Sequence, residues 1–219
     1  MPMTERGSII PFERPAVHGF LHQPDDAGAR PNGLVLTHGA GSNCNAPLLI
    51  RAASAFSAAG FWVLRCDLEF RRRRPSGPPS PSTSAVDRAG LKSAMAAMRD
   101  IASGQQFLGG HSYGGRQATV LASDEPDLAH GLLLFSYPLH PPKKQSQGRT
   151  EHFPRLRVPS VFVHGTDDPF GSLDELGSAL ALIPAPTKLI AIEGARHDLK
   201  RGNFDLQSIV AALLEQACD

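Results

Sequence analysis

From residue 33 to the C-terminus, short apolar runs alternate with longer segments rich in alanine and leucine. Such alternation is typical of a parallel β-sheet whose strands are joined by crossover helices, since parallel neighbours cannot be connected by a tight turn. Several runs are apolar at successive positions, as expected of strands that helices cover on both faces. The pattern therefore predicts an α/β fold with a mostly parallel central sheet and helices on both faces. The predicted strands span residues 33–37, 61–66, 106–109, 131–135, 159–164 and 187–192, and the predicted helices span 46–59, 84–102, 115–123, 172–182 and 204–218.

Two long proline-rich segments, residues 69–83 and 137–154, each follow the carboxyl end of a predicted strand. Open α/β sheets bind their ligands at that edge. The strand pattern continues beyond both segments, so we expect loops over a binding site rather than linkers between domains. Upstream, residues 8–13 and 17–22 predict an antiparallel hairpin at the sheet edge. The length suits one α/β domain spanning 1–219, without a second comparable one.

Composition and charge argue against several classes of function. Hydrophobic residues make up 41% of the chain and charged residues 20%, which is ordinary globular usage. The formal net charge of +1 argues against a general attraction to nucleic acid or to an anionic membrane surface. Three cysteines, Cys44, Cys66 and Cys218, lack the spacing of a disulfide framework, so a reducing compartment is the simpler expectation. Because the sequence offers neither a signal-like N-terminus nor a membrane-length apolar stretch, we expect a cytoplasmic protein.

One serine is placed where a strand passes through a sharp turn into a helix. Residues 110–114 read GHSYG and lie between an apolar run and a helix-like segment. This is the G-x-S-x-G nucleophile-elbow pattern, in which the serine adopts a strained backbone conformation at the top of a parallel sheet. Glycines on either side remove the Cβ atoms that would collide where strand and helix pass closely. Ser112 is therefore the candidate nucleophile.

A serine hydroxyl is a weak nucleophile near neutral pH, so it needs a base that removes its proton. His197 follows the predicted strand 187–192 and is the best candidate for that base. The imidazole in turn needs an anion that holds one tautomer and stabilises the imidazolium. Asp168 and Asp167 both follow the strand 159–164, and we favour Asp168 because the proline after it fixes the turn. The chain order serine, acid, histidine is the one that accompanies the nucleophile elbow.

Negative charge that develops on a carbonyl oxygen must be met by fixed hydrogen-bond donors. The backbone N–H of Tyr113, which follows the nucleophile, is one such donor by the construction of the elbow. The sequence HGAG at 38–41 supplies the second, and we expect the amide of Ala40 or Gly41 to turn toward the oxyanion.

Each of these elements also has an ordinary structural interpretation. The serine could merely cap a helix, the aspartate pair could form only a turn, and any one of nine histidines could be structural. All these interpretations would have to hold at once, in the correct order and at the ends of predicted strands. The set as a whole therefore favours catalysis.

Further polar residues near these strands are candidates for binding a substrate. Arg71, Arg72 and Arg73 belong to an arginine run, 71–74, for which we favour a solvated loop over a basic rim that binds a carboxylate or phosphate. His38 is a further candidate for a substrate contact. Since the sequence contains no closely spaced cluster of His, Cys and Asp, neither a metal nor a cofactor is predicted.

Four segments, LVLTHGAG, FLGGHSYGGR, VHGTDDPFG and GARHDL, together resemble the α/β-hydrolase superfamily over almost the whole chain from residue 33 onward. More narrowly, HGAGSN, the arginine-rich loop, GHSYGGR and SYPLHPP are similar to small bacterial dienelactone-hydrolase-like proteins grouped with the KANL3/Tex30 family. The resemblance implies a compact α/β-hydrolase fold without a separate cap domain. It places Ser112, Asp168 and His197 on the triad positions, with Tyr113 and Ala40 near the oxyanion positions. Dienelactone hydrolases proper have a cysteine where this chain has Ser112, which speaks against the dienelactone reaction itself.

These expectations combine into a cofactor-independent serine hydrolase, carboxylesterase-like, that cleaves a small ester or thioester through an acyl-enzyme. A small serine peptidase would use the same side chains but needs a groove for an extended chain. The third interpretation is a non-catalytic scaffold or interaction module, since a fold alone does not guarantee activity. The family that the chain resembles also includes eukaryotic members of chromatin-associated assemblies.

Overall fold

An eight-stranded β-sheet runs through the centre of the molecule. The structure, a computed structural model, describes residues 7–26, 28–202 and 204–217. The strands are β1 (Ile9–Arg14), β2 (Val17–His22), β3 (Gly33–Thr37), β4 (Trp62–Cys66), β5 (Gln106–His111), β6 (Gly131–Phe135), β7 (Ser160–Gly165) and β8 (Thr187–Ile192). The α-helices are α1 (Pro47–Ala58), α2 (Glu69–Arg73), α3 (Ser84–Arg99), α4 (Tyr113–Asp124), α5 (Leu173–Leu180) and α6 (Leu206–Gln216).

The order of strands across the sheet is β1-β2-β4-β3-β5-β6-β7-β8. β1, β2 and β4 pair antiparallel, whereas every pair from β4 to β8 is parallel. The predicted sheet is thus confirmed, and the predicted hairpin forms its antiparallel edge. From β3 the chain moves to β4 on one side and returns to β5 on the other, which makes β3 and β5 neighbours at a topological switch point. Their carboxyl ends border the crevice where such sheets bind ligands.

Helices cover both faces of the sheet and bury it completely at its centre. α1 and α6 pack on one face, and α3, α4 and α5 pack on the other. In β3, Leu34 and Leu36 point toward α1 and α6, while Val35 points to the opposite side. Since successive side chains of a strand alternate between faces, a strand covered on both sides must be apolar throughout. This explains the continuous apolar runs in the sequence.

The predicted loop 69–83 differs from the structure because it begins with the short helix α2. Glu69 accepts hydrogen bonds from Arg72 at 2.7 Å and from Arg73 at 3.0 Å. These i, i+3 and i, i+4 pairs stabilise a helical turn. The arginine run, which we interpreted as a solvated loop, is therefore largely helical. A turn of 3-10 helix, Pro81–Thr83, then precedes α3.

Helix ends also differ from the sequence prediction by a few residues. The last helix, predicted at 204–218, starts at Leu206 because the Asp205 side chain accepts hydrogen bonds from the N–H groups of Gln207 and Ser208 and caps it. Its predicted last residue, Cys218, lies outside the described residues. After α1, Gly60 adopts a φ of +91°, a left-handed conformation that glycine readily adopts at the end of a helix.

The described helices include none that could span a membrane, because none is both long and apolar enough. The longest of them, α3, has 16 residues and carries charged side chains along its length.

Gly114, in the first turn of α4, lies so close to β3 that a side chain does not fit. An added Cβ would lie 2.5 Å from the carbonyl oxygen of His38 and 2.7 Å from Cγ2 of Thr37. We predict that Gly114→Ala lowers the free energy of unfolding by about 1–3 kcal/mol, because α4 must move away from the sheet. Urea unfolding measures the change.

Gly177→Ala is the matched control. Gly177 also lies in a helix, α5, but nothing lies within 4 Å of its added Cβ. There alanine should raise the free energy of unfolding by up to about 1 kcal/mol, through helix propensity alone. A shift in the same direction for both variants would contradict the close packing at Gly114.

Candidate active site

Ser112 lies at the carboxyl edge of the sheet, in the turn between β5 and α4. Its backbone φ of 52° and ψ of −117° are rarely adopted by residues other than glycine, and such strain costs on the order of 1–3 kcal/mol. Two hydrogen bonds hold it. The Ser112 N–H donates to the carbonyl of Phe135 at 2.9 Å, and the N–H of Arg116 donates to the Ser112 carbonyl at 3.0 Å. Gly110 permits the turn, since an added Cβ would lie 2.8 Å from the carbonyl oxygen of Thr37.

Three side chains that are far apart in the sequence form one hydrogen-bonded chain. Oγ of Ser112 lies 2.8 Å from Nε2 of His197. Nδ1 of His197 lies 2.8 Å from Oδ2 and 3.0 Å from Oδ1 of Asp168. Because a carboxylate only accepts, Nδ1 carries the ring proton and Nε2 is free to accept the proton of the serine hydroxyl. The Asp168 side chain is fully buried, while one fifth of the His197 side chain (20%) is exposed toward the cavity described below.

The structure brings Asp168, and not Asp167, to the imidazole. Asp167 is exposed, and its N–H donates to the carbonyl of Ala195 at 2.9 Å. The carboxylate of Asp168 turns inward, where its Oδ1 also accepts the N–H of Phe170 at 2.9 Å. The turn after β7 thus gives the two neighbouring carboxylates opposite environments.

Two rings that the sequence did not connect with His197 hold it in place. Phe170 stacks on the imidazole, with ring centroids 4.1 Å apart and an interplanar angle of 29°. Nε2 of His111 donates to the backbone carbonyl of His197 at 2.8 Å. Burial is the main cause that lowers the pKa of His111 to about 4, so this ring is neutral near neutral pH. Both the ring face of His197 and its backbone carbonyl are therefore held in place.

The segment after β3 presents backbone N–H groups to the same cavity. His38, fully buried, accepts the N–H of Leu68 at Nε2 (3.1 Å) and donates from Nδ1 to the carbonyl of Gly39 (2.8 Å). Since a trans peptide is planar, the N–H of Ala40 points opposite to the Gly39 carbonyl and away from His38. In the described part of the chain, neither this N–H nor that of Tyr113 donates a hydrogen bond. Both are free to meet an oxyanion beside Ser112.

Of the candidates for substrate contacts, His38 and Arg71, Arg72 and Arg73 do not line this cavity. His38 lies behind the loop that it orients. Arg71 is buried and donates to the carbonyls of Ser42 and Ala40, both at 2.8 Å. Arg72 and Arg73 are bound to Glu69 in α2. The guanidinium group of Arg71 thus holds backbone carbonyls, and those of Arg72 and Arg73 bind a carboxylate of their own helix.

A cavity of about 760 Å³ opens above Ser112. Both long loops predicted from the sequence line it, the first with residues 78–81 and the second with Pro138 and Arg149. Arg116 and Phe170 add to its wall. The sequence did not predict that Arg116 and Arg149 line a cavity beside Ser112. Arg116 could have been found, because a residue four positions after the nucleophile on a helix lies on the same face; Arg149 sits in a long loop that carried no such signal.

Three potential metal ligands meet elsewhere, which the sequence prediction of no such cluster did not anticipate. Ligand atoms of His18, Cys44 and Asp67 lie within 4.8 Å of one another, although the residues come from three separate segments. Nδ1 of His18 is 3.0 Å from one carboxylate oxygen of Asp67, and the N–H of Cys44 donates to the other at 2.7 Å. Burial and then the Asp67 charge raise the pKa of the Cys44 thiol to about 12, so the thiol is protonated. Hydrogen bonds already account for the polar atoms of this cluster.

Comparison with known proteins supports the assignment of the fold. Residues 30–218 match the family described as the alpha/beta hydrolase domain. Dienelactone hydrolase from Anabaena variabilis is 18% identical with a TM-score of 0.69, and the match covers 98% of this chain and 97% of that one. Est1E from Butyrivibrio proteoclasticus is 14% identical with a TM-score of 0.72, covering 97% and 100% of the two chains. A protein of Xanthomonas campestris described as a serine hydrolase without lid is 15% identical with a TM-score of 0.70, covering 99% and 95%.

Buried histidines around the site make stability depend on pH. Burial is the main cause that lowers the pKa values of His38, His111 and His164 from 6.5, that of His111 to about 4. The contribution of His111 to stability is complete above pH 6.5 and is lost as the pH falls toward 4, because the unfolded chain takes up a proton that the folded chain refuses. We predict a loss on the order of 3 kcal/mol from His111 over this window.

Urea unfolding at about pH 7, 6 and 5 checks this prediction. His111→Gln keeps an N–H donor for the carbonyl of His197 but removes the titrating group, so its free energy of unfolding should fall less steeply with decreasing pH. An equal slope in wild type and variant would contradict the prediction.

Proposed function

Because the chain belongs to the alpha/beta hydrolase domain family, we propose that it is a serine hydrolase, carboxylesterase-like, that cleaves a small ester or thioester through an acyl-enzyme. One observation carries the proposal: Ser112 Oγ, His197 and Asp168 are linked by hydrogen bonds of 2.8 Å at Nε2 and 2.8 Å at Nδ1. That arrangement supplies a nucleophile, a base for its proton and an anion that orients the base. The serine hydrolase of Xanthomonas campestris described among the structural neighbours agrees with it.

The first half-reaction forms the acyl-enzyme. Ser112 Oγ attacks the carbonyl carbon while its proton passes to Nε2 of His197, and the buried carboxylate of Asp168 stabilises the resulting imidazolium. The N–H groups of Tyr113 and Ala40 donate to the oxyanion that forms. When the bond to the alcohol or thiol breaks, His197 returns the proton to the leaving group.

The second half-reaction releases the acid. A water molecule attacks the acyl carbon, gives its proton to Nε2 of His197, and the oxyanion forms again in the same place. As the intermediate collapses, the proton returns to Ser112 and the free enzyme is restored. Every step uses groups of this chain and water, so the proposal includes no cofactor and no metal.

The proposal has finer parts that rest on the sequence. They are a single domain over 1–219, a narrower kinship with the KANL3/Tex30 grouping, a cytoplasmic location, and a small-molecule substrate rather than a nucleic acid or membrane partner. The chain length supports the single domain, and the segments HGAGSN, GHSYGGR and SYPLHPP support the kinship. The spacing of the three cysteines supports the location, and the net charge of +1 supports a small-molecule substrate.

A fluorophosphonate probe tests whether Ser112 is an activated nucleophile. We expect the wild-type protein to be labelled at one site and Ser112→Ala not to be labelled, since the probe reacts with an activated serine hydroxyl. His197→Ala should be labelled far more slowly, because the base is missing. Fluorescence after gel electrophoresis and mass spectrometry of the labelled peptide provide the readout. An unlabelled wild-type protein that is folded by circular dichroism would favour a non-catalytic scaffold.

The two neighbouring aspartates allow a matched test of the acid. Asp168→Asn should lower kcat for a short 4-nitrophenyl ester by about 10⁴-fold, because an amide holds the wrong imidazole tautomer and does not stabilise the imidazolium. Asp167→Asn should stay within about threefold of wild type, since that exposed side chain does not contact His197. Equal losses in the two variants would refute the assignment of the acid.

A further inference from the structure

The cavity above Ser112 carries positive charge and contains no acid. Arg116 lies one helical turn beyond Ser112 on α4, and Arg149 comes from the long loop after β6. Among the described residues that line the cavity, these two alone carry a permanent charge, and none is an aspartate, glutamate or lysine. A neutral ester would leave both charges without a counterion.

Neither guanidinium has a partner within the described chain that accounts for its charge. Arg116 donates no side-chain hydrogen bond there, and its Nε is buried without an acceptor. Arg149 makes one long contact, from Nη1 to the carbonyl of Pro138 at 3.4 Å. No described carboxylate forms a salt bridge with either residue. A buried donor without an acceptor is costly, which indicates that something outside the chain supplies one.

Four other arginines have acceptors within the described chain. Arg72 and Arg73 pair with Glu69, Arg155 pairs with Asp124, and Arg71 donates to backbone carbonyls. The fold thus provides acceptors where an arginine has a structural role. The two arginines that face the cavity have no comparable acceptor among the described residues.

Two like charges in half-buried positions repel each other. Burial, and then the nearby charge of Arg116, lower the pKa of Arg149, and Tyr137 and Glu151 offset this only in part. Guanidinium groups nevertheless stay protonated, so the repulsion persists until an anion enters. Their planar N–H pairs match the two oxygens of a carboxylate.

The remaining wall of the cavity is suited to a short carbon chain. It includes Pro78, Pro79, Pro81, Pro138 and Phe170, all apolar side chains. An anion at Arg116 and Arg149 would therefore be joined to the reacting carbonyl at Ser112 through an apolar stretch.

We propose that Arg116 and Arg149 together bind a carboxylate of the substrate, so that the enzyme prefers short esters or thioesters that carry a free carboxylate group. Hydrolysis of such a substrate rests on the proposed function, but binding of the carboxylate does not require turnover. The site is distinct from the arginine run 71–74, whose side chains are used within the fold.

Two pairs of esters test the proposal. Mono(4-nitrophenyl) glutarate against 4-nitrophenyl butyrate places the carboxylate on the acyl chain, and 4-acetoxybenzoate against phenyl acetate places it on the leaving group. For the pair whose carboxylate reaches the arginines, we expect the anionic-to-neutral ratio of kcat/KM to fall about ten- to a hundredfold in Arg116→Gln and in Arg149→Gln. Using the ratio cancels any general effect of a variant on the catalytic groups.

Two variants serve as controls. Arg155→Gln removes an exposed arginine that pairs with Asp124 outside the cavity, and its ratio should equal that of wild type. Arg116→Lys keeps the charge but loses the planar pair of donors, so its ratio should lie between those of wild type and Arg116→Gln. Wild-type ratios in Arg116→Gln and Arg149→Gln, for both ester pairs, would overturn the proposal.

Calorimetric titration of glutarate into Ser112→Ala protein separates this proposal from the proposed function. Binding that is lost when Arg116→Gln or Arg149→Gln is added supports the carboxylate site, even if no ester is hydrolysed and the hydrolase proposal fails. Hydrolysis of both ester pairs with ratios that do not depend on the two arginines keeps the hydrolase and overturns the carboxylate site. Absence of any glutarate binding, together with unchanged ratios, overturns it as well.

Discussion

The close approach of α4 to the ends of β3 and β5 is the constraint on which the site depends. Because Gly110 and Gly114 have no Cβ atoms, the backbone of α4 lies directly against that of the strands, and the turn between the two glycines is restricted to a narrow path. That path forces Ser112 into a left-handed backbone conformation that it would not choose alone. The strain is sustained because the sheet on one side and a buried helix on the other are both rigid. The position of the Ser112 hydroxyl at the cavity is a consequence of packing before it is a feature of chemistry.

Behind the site, buried polar groups hold backbone in place rather than meeting a ligand. His38 fixes the Gly39 carbonyl and Arg71 fixes that of Ala40, so the N–H groups of Ala40 and Gly41, which line the cavity, point away from these two side chains. Asp67 continues this support through the N–H of Cys44 and the ring of His18. Donors fixed in advance are worth more to a developing oxyanion than donors that must reorient, since no reorganisation accompanies the reaction. These buried polar residues are thus used to hold the surroundings of the nucleophile.

The sequence predicted what depends on local pattern. Apolar runs located all six parallel strands, the glycines around Ser112 located the turn, and the proline after Asp168 correctly distinguished it from Asp167 as the partner of His197. The sequence did not predict side-chain contacts that depend on hydrogen bonds between distant segments. Nothing in the letters of 71–74 shows that Arg71 will donate to the backbone carbonyls of Ser42 and Ala40. The meeting of His18, Cys44 and Asp67 was equally invisible, because the three come from separate segments.

The arginines show why clustering in sequence is a poor guide to a binding role. A dense run of like charge is unfavourable unless nearby acceptors compensate it, so a fold that keeps such a run also provides those acceptors. The N–H groups of such arginines then bind these acceptors, as Arg72 and Arg73 bind Glu69 in α2. A charge that is to bind something else must instead be placed where the fold offers no acceptor. Arg116 and Arg149 are isolated in sequence and meet only in the folded chain, in front of Ser112. Their lack of partners, which no count of residues could reveal, is what distinguishes them from the arginines of α2.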